Sequence, residues 1–177
     1  MTLLSRSLVV VFALVLAACG GDTAPAPAEA PAPAASAAPT VAATPEAPPA
    51  FDGPALEVTL TPVGNTMAFE QTAMTAQPGQ TVRLTFNNTA DNPAMSHNVV
   101  VLHQGADVNA FGQAAMSAEA TEYIPAELAS QVIAHTAIAA PGETVTVEFT
   151  APAAGTYTYV CTFPGHYMMM TGTLTVA

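Results

Sequence analysis

The chain has 177 residues, of which 51% are hydrophobic and only 8% are charged. Its formal net charge at pH 7 is −11, because 2 Lys and Arg residues stand against 13 Asp and Glu residues. Such an acidic chain repels phosphate backbones, so nucleic-acid binding is excluded from the candidate functions.

The first 18 residues, MTLLSRSLVVVFALVLAA, carry one positive charge at Arg6 and then an apolar run that ends in small residues. This pattern predicts an export signal, because the run is shorter than the roughly 20 apolar residues that span a bilayer. Cys19 follows directly, and LAAC resembles the lipobox of bacterial lipoproteins. The resemblance implies cleavage before Cys19 and lipid on its thiol. An ordinary secretory signal with a chance cysteine is the alternative.

Residues 19–54 are rich in Ala and Pro, with a few Ser, Thr and Glu, and eight of the 16 prolines fall between residues 20 and 50. Proline favours extended geometry in itself and in the residue before it. We therefore predict a flexible tether that holds the following domain away from a membrane. The location predicted from the signal and tether is the bacterial periplasm or cell envelope, with a membrane anchor at Cys19.

Short alternating segments separated by turn residues occupy residues 55–177 and predict one β domain. The segments QPGQTVRLTF and APGETVTVEF share a Pro-Gly turn followed by a strand in which alternate residues are apolar. HNVVVLH has a continuous apolar centre, which is typical of a strand buried on both faces. The predicted fold is an all-β Greek-key sandwich of 7–8 strands.

The alternation stops between His103 and Thr136. Here DVNAFGQAAMSAE predicts one short helical insertion with Asp107 as its N-cap, followed by a looser excursion through YIPAELASQ. We expect His103 and His135, at the two ends of this region, to be ordinary surface residues.

A cluster of metal-binding side chains stands near the end of the chain. CTFPGHYMMMTG places Cys161, His166 and Met170 in a C-x4-H-x3-M pattern, and His97 opens the apolar strand in MSHNVVVL. A strand about 65 residues upstream can lie beside the last strands of a sandwich, so these four side chains are expected to converge.

The chemistry of this set favours copper. Thiolate and thioether are soft ligands, and two His with one Cys around a weak axial Met form an electron-transfer site of the blue-copper kind. No position is left open for a substrate, whereas a catalytic metal site keeps one, so we predict that the protein is not an enzyme. The alternative is that Cys161 is a buried structural thiol and His97 an ordinary core histidine.

The motifs CTFPGH-x3-M-x-G and SHN before an apolar strand resemble the cupredoxins, the type 1 blue copper proteins, in particular azurins and auracyanins. The similarity extends over most of residues 56–177, including VIAHT and the terminal GTLTV. Azurins carry a disulfide for which this chain has no cysteines, and Val99 stands where many relatives have a core tryptophan.

The resemblance implies one copper ion, with His97, Cys161 and His166 as equatorial ligands and Met170 as the axial ligand. Met168 and Met169 are competing candidates, but Met170 is preferred because Gly172 follows it at the family spacing. The resemblance also implies two supporting groups: the Ser96 carbonyl as a possible weak axial contact, and Asn98 as a residue behind the ligands that ties their two loops together by hydrogen bonds.

The resemblance further implies an electron port at the ring edge of His166. The apolar residues expected to frame this edge are Ala94, Met95, Phe163, Pro164, Met168 and Met169. The predicted function is that of a lipid-anchored monomer shuttling single electrons between extracytoplasmic redox partners, such as cytochromes or membrane electron-transport complexes.

Two alternatives use the same pocket. In the first, the protein is a periplasmic copper carrier or storage protein that delivers Cu(I), and Met95, Met168 and Met169 bind metal instead of packing. In the second, the pocket holds zinc, although the affinity of such sites for Cu(II) generally exceeds that for Zn(II).

Overall fold

The structure is a computed structural model, and it describes residues 50–177. The predicted signal sequence, the lipidation site at Cys19 and the tether up to residue 49 lie outside the described residues. Within residues 50–177, none of the helices has both the length and the apolar character needed to cross a membrane.

Residues 50–177 form two β-sheets with a total of eight strands, as predicted. The strands are β1 (Leu56–Leu60), β2 (Ala73–Ala76), β3 (Thr81–Asn87), β4 (Val100–Leu102), β5 (Val132–His135), β6 (Thr144–Thr150), β7 (Gly155–Val160) and β8 (Thr171–Val176). One sheet has the order β1-β3-β6 and the other has the order β2-β8-β7-β4-β5. The predicted β-sandwich is therefore confirmed.

The sheets are mixed, since β1 pairs with β3 and β2 pairs with β8 in parallel while the other pairs are antiparallel. The chain leaves the three-stranded sheet after β1, adds β2 to the other sheet and returns as β3. This crossing between sheets lets β1 and β3 run in the same direction without a hairpin.

The repeated Pro-Gly segments form β3 and β6, which are antiparallel neighbours. Gly79 and Gly142 have φ values of 77° and 81°, a left-handed conformation that glycine adopts without steric cost. In β3 the alternate residues Val82, Leu84 and Phe86 are fully buried. The period-2 pattern thus correctly predicts which face of this strand contacts the core.

Strand β4 separates two apolar clusters and is buried on both faces, as its continuous apolar sequence predicts. Val101, together with Val99 directly before the strand, packs into the main core between the sheets with Phe69, Phe86 and Tyr159. Val100 and Leu102 face a second cluster, which also contains Phe111, Ile124, Val160 and Tyr167. The second cluster lies where residues 103–131 cover the outer face of the five-stranded sheet.

Residues 103–131, called the insertion below, contain the helix α1 (Val108–Ala115) and two short 3-10 helices, Glu119–Thr121 and Ala126–Gln131. The predicted N-cap is confirmed, because Asp107 accepts hydrogen bonds from the backbone N–H groups of Asn109 at 2.9 Å and Ala110 at 3.0 Å. The segment expected to be a loose excursion is instead partly ordered as the second 3-10 helix.

Candidate metal centre

Strand pairing brings the distant histidine next to the cysteine. β4 and β7 are antiparallel, with Val100 opposite Val160 and Val101 opposite Tyr159. The segment before β4 and the segment after β7 remain adjacent, because the Thr162 N–H donates to Asn98 Oδ1 at 2.8 Å. His97 and Cys161 therefore lie at the same end of the sandwich although 64 residues separate them.

The backbone of His97 is fixed by an isolated bridge to Ala139. The His97 N–H donates to the Ala139 carbonyl at 3.1 Å, and the Ala139 N–H donates to the His97 carbonyl at 2.8 Å. Asn88 secures the same region, because its side-chain amide donates to the carbonyls of Met95 at 2.8 Å and Ala139 at 2.9 Å. The His97 main chain is therefore held by a hydrogen-bond network before any ligand is considered.

Residues 161–170, called the ligand loop below, form a tight double turn. The His166 N–H donates to the Phe163 carbonyl at 3.0 Å, and the intervening Gly165 has φ 83°. The His166 carbonyl in turn accepts from the N–H groups of Met169 at 3.0 Å and Met170 at 2.9 Å. The loop closes where the Cys161 N–H donates to the Met170 carbonyl at 3.0 Å.

Three potential ligand atoms converge in this end of the fold. Nδ1 of His97 and Nδ1 of His166 are 3.1 Å apart, and each lies 3.7 Å from Sγ of Cys161. A triangle with these sides has its circumcentre about 2.0 Å from each corner, close to typical metal–nitrogen distances of about 2.0–2.1 Å and a metal–sulfur distance of about 2.3 Å. The three atoms therefore fit one metal ion.

The second ring nitrogen of His97 is not one of the three converging donor atoms. His97 Nε2 is buried and has no hydrogen-bond partner within the described chain. If Nδ1 presents its lone pair to a metal, the proton of the neutral imidazole belongs on Nε2. The ring is held mainly by packing, with Phe86 edge-on at a centroid distance of 6.0 Å.

Burial controls the protonation of the three donors. It raises the pKa of the Cys161 thiol to about 12, although hydrogen bonds from the backbone N–H groups of Asn98 and Phe163 oppose the shift. Burial, together with the charge of His166, lowers the pKa of His97 to about 4, and burial lowers the pKa of His166. At neutral pH the metal-free site therefore holds two neutral imidazoles and a protonated thiol.

Met170 is the buried member of the methionine run. It is fully buried and belongs to the same core cluster as Cys161, whereas Met168 and Met169 keep 67% and 60% of their surface exposed. A thioether in the buried position is available to a metal beside the thiol. The four side chains His97, Cys161, His166 and Met170 are thus arranged like a type 1 copper site.

Asn98 joins the two segments that carry the cluster. Its Oδ1 accepts from the Thr162 N–H at 2.8 Å, and its Nδ2 donates to Thr162 Oγ1 at 2.8 Å. The same Nδ2 donates to the carbonyl of Glu122 at 3.3 Å. Asn98 is fully buried, so these bonds replace water that it would otherwise contact.

Solvent exposure distinguishes the two imidazoles of the cluster. His166 keeps 5% of its surface exposed while His97 keeps none, so His166 is the imidazole nearer to solvent. Of the residues that the sequence predicts to frame its edge, Phe163 and Met95 are half-buried, and Ala94, Pro164, Met168 and Met169 are exposed. The Phe163 ring lies 5.1 Å from the His166 ring.

The remaining candidate residues lie outside the cluster. Ser96 is half-buried directly before His97, while His103 and His135 are exposed, as expected of surface residues. Within residues 50–177, His97, Cys161 and His166 form the one group of His, Cys, Asp or Glu side chains close enough to share a metal ion.

Sequence reasoning missed Asn88, which is fully buried and holds the segment before His97. The signal was present in the alternation of β3. Val82, Leu84 and Phe86 point inward, and the next residue in that series is the polar Asn88. A polar side chain at a position of core periodicity must find hydrogen-bond partners, and these are the two carbonyls described above.

Comparison with known protein families agrees with this geometry. The family model of copper binding proteins, plastocyanin/azurin family, matches residues 56–177. Auracyanin-A from Chloroflexus aurantiacus is 44% identical over 115 residues, which cover 64% of this chain and 69% of the relative. Auracyanin-B from the same organism is 39% identical over 125 residues, covering 70% of this chain and 53% of the relative, so the match spans about half of that protein.

Solved structures show the same architecture. Auracyanin A, described as a blue copper protein of Chloroflexus aurantiacus, is similar with a TM-score of 0.65 at 40% identity, covering 70% of this chain and 100% of that one. Reduced auracyanin from Roseiflexus castenholzii is similar with a TM-score of 0.63 at 37% identity, covering 71% and 99%.

A mixed β-sandwich with two imidazoles, a thiol and a buried thioether at one end defines a blue copper protein of the cupredoxin class. The chain belongs to the plastocyanin/azurin family of copper-binding proteins, and copper is its cofactor.

Proposed function

We propose that this chain is a lipid-anchored electron carrier that uses one copper ion to move single electrons between redox partners outside the cytoplasm. The observation that carries the proposal is the triangle of two Nδ1 atoms and one Sγ atom, with sides of 3.1, 3.7 and 3.7 Å. Bound copper supplies one-electron redox chemistry, and the protein supplies a fixed ligand set and a path for the electron.

We assign His97, Cys161 and His166 as the equatorial ligands and Met170 as the weak axial ligand. Each comes from a rigid part of the fold: His97 from its bridge to Ala139, and the other three from the double turn of the ligand loop. Rigid placement suits electron transfer, because both oxidation states then share nearly one ligand geometry and little reorganisation is needed.

Electrons are proposed to enter and leave through the edge of His166. Of the two imidazoles in the cluster it is the one with solvent-exposed surface, and the apolar residues predicted to frame it would allow brief docking without matched charges. The chain as a whole is acidic, with 13 Asp and Glu residues, so a partner with basic residues around its docking face is favoured.

Spectroscopy tests the copper centre directly. Adding Cu(II) to the purified wild-type protein is expected to give an intense visible thiolate-to-copper band, which Cys161→Ser abolishes. Met170→Leu is expected to shift the band, whereas Met168→Leu, which changes an exposed neighbour in the same loop, leaves it unchanged. A colourless wild-type complex would show that the cluster is not a type 1 site.

The lipid anchor is supported by LAAC at residues 16–19 and by the Ala/Pro-rich segment that follows. A relative named outer membrane protein H.8, from Neisseria gonorrhoeae, is 32% identical over 98 residues, which supports a place in the cell envelope. Incorporation of labelled palmitate in cells that express the full chain tests the anchor. Label is expected in the wild type and not in Cys19→Ala, and its absence from the wild type would leave a secreted carrier.

A copper carrier that delivers Cu(I) is the second candidate, favoured by the exposed thioethers of Met168 and Met169 beside the site. Competition with a Cu(I) chelator separates the two functions. A carrier releases its metal readily and loses affinity in the Met168→Leu/Met169→Leu variant. An electron carrier retains copper through many redox cycles in both proteins.

A further inference from the structure

We propose that the insertion is a positioning element for the copper site. It holds the ligand loop through Gly112 and Tyr123 and contributes no ligand. This inference rests on the proposed copper centre and goes beyond it, because it assigns a role to residues outside the cluster. The insertion contacts the ligand loop directly at two places and is joined to it at a third through Asn98.

The first contact lies between α1 and the residue that follows His166. The Tyr167 ring lies directly over Gly112, and a Cβ added to Gly112 would overlap that ring. Tyr167 is buried in the second apolar cluster with Phe111 and Ile124 of the insertion. Glycine in the middle of a helix is unfavourable, so its presence in α1 is explained by the room it makes for Tyr167.

The second contact is an aromatic series that ends at the ligand itself. The Tyr123 ring packs edge-on against Phe163 at 5.3 Å, and Phe163 lies 5.1 Å from the His166 ring. Tyr123 and its neighbour Glu122 both have left-handed backbones, with φ values of 63° and 54°. Two consecutive non-glycine residues adopt this costly conformation only where the surroundings enforce it.

The third contact fixes that strained corner to the loop. The carbonyl of Glu122 accepts from Asn98 Nδ2, and the same Nδ2 donates to Thr162 Oγ1. The corner is closed from within the insertion, where the Tyr123 N–H donates to the Ala118 carbonyl at 2.8 Å. Asn98 therefore links the corner to the residue next to Cys161.

The contacts fall on both sides of one ligand. Phe163 precedes His166 in the ligand loop and Tyr167 follows it, while Cys161 is anchored by β7. The main core between the sheets contains no residue of the insertion among the described residues. A change in the insertion is therefore expected to move His166 relative to Cys161 while leaving the sandwich intact.

The test uses two pairs of variants. Gly112→Ala places a methyl group against Tyr167, whereas Gln113→Ala changes the exposed neighbour in the same helix and serves as the control. Tyr123→Ala removes the ring that packs on Phe163, whereas Tyr123→Phe retains it. Gly112→Ala combined with Tyr167→Leu restores space at the first contact.

We expect Gly112→Ala and Tyr123→Ala to shift the thiolate-to-copper band and to weaken copper binding by about 10- to 100-fold. Gln113→Ala and Tyr123→Phe are expected to behave like the wild type, and the double variant is expected to move the band back toward the wild-type position. Unchanged spectra and affinity, with only a lower melting temperature, would reduce the insertion to packing and overturn the proposal.

Nuclear magnetic resonance of the metal-free protein separates this proposal from the proposed function. We expect Tyr123→Ala to shift the amide signals of residues 161–170 and to leave those of β3 and β6 in place. If wild-type protein forms no blue complex but these shifts occur, the copper function fails, whereas the inference that the insertion holds the ligand loop stands. If Gly112→Ala does not fold, the Tyr123 pair decides by the same criteria.

Discussion

Replacing Asn88 with alanine is expected to destabilise the metal-free protein substantially, although Asn88 is not one of the proposed ligands. Its side chain makes three hydrogen bonds: it donates to the carbonyls of Met95 and Ala139 and accepts from the N–H of Ala90 at 3.2 Å. The residue is fully buried, so water cannot easily replace these bonds.

The size of the expected loss in the free energy of unfolding depends on which hydrogen-bond partners of Asn88 keep another hydrogen bond. The Ala139 carbonyl retains the His97 N–H at 3.1 Å, so the carbonyl of Met95 and the N–H of Ala90 are left without a partner. A buried group left unsatisfied costs about 1–3 kcal/mol, and Met95 is only half-buried, so the variant should lose about 2–4 kcal/mol. Total stabilities are about 5–15 kcal/mol, so this is a large effect.

Urea unfolding followed by far-ultraviolet circular dichroism measures the loss, since the chain has no tryptophan for fluorescence. Asn87→Ala is the matched control, because Asn87 is the adjacent asparagine and its side chain accepts one exposed hydrogen bond from Thr144. The control should lose less than about 0.5 kcal/mol. Equal losses in the two variants would refute the view that Asn88 holds the segment before His97.

Three further predictions concern protons and packing. Copper(II) binding at pH 7 should release about one proton per ion, because the pKa of the Cys161 thiol is raised to about 12 and the imidazoles are already neutral. Calorimetry in buffers of different ionisation enthalpy counts the released protons, and a value of zero or two would contradict the assignment. The metal-free protein should lose about 3 kcal/mol of stability as pH falls from about 6.5 to 4. In this range the unfolded chain binds a proton at His97, whereas the folded chain does not, because folding lowers the pKa of His97 to about 4. A His97→Gln variant with the same pH slope in urea titrations would assign the loss to another group. Gly172→Ala should lower the melting temperature far more than Gly155→Ala. A methyl group at residue 172 would overlap the buried Tyr159 ring, whereas one at residue 155 meets only the exposed side chain of Gln104, at 3.2 Å. Equal melting temperatures would contradict this packing.

The sequence predicted the features that depend on local patterning. Alternation in QTVRLTF predicted the inward face of β3, and the continuous apolar run in VVVL predicted that β4 is buried on both sides. The spacing of the C-x4-H-x3-M pattern reflects the double turn of the ligand loop, which is closed by hydrogen bonds between near neighbours. The copper chemistry followed from the residue types, because thiol, thioether and imidazole together favour that metal.

Features that depend on long-range contacts could not be predicted in the same way. The parallel pairing of β1 with β3 depends on the chain's crossing between sheets, which no local pattern encodes. The left-handed residues Glu122 and Tyr123 carry no glycine signal, because their conformation is imposed by contacts with Asn98 and Phe163. Similarly, Gly112 in α1 is explained only by the position of Tyr167.

The protonation states of the metal-free site have a consequence for how the protein handles copper. Burial disfavours both the Cys161 thiolate and charged imidazoles, so the empty pocket holds no net charge at neutral pH. The neighbouring imidazole lone pairs need no deprotonation, whereas the thiol must lose its proton as the metal binds. Copper affinity should therefore rise with pH by about tenfold per unit above pH 7 until the thiol pKa is approached, since one proton is exchanged for each ion.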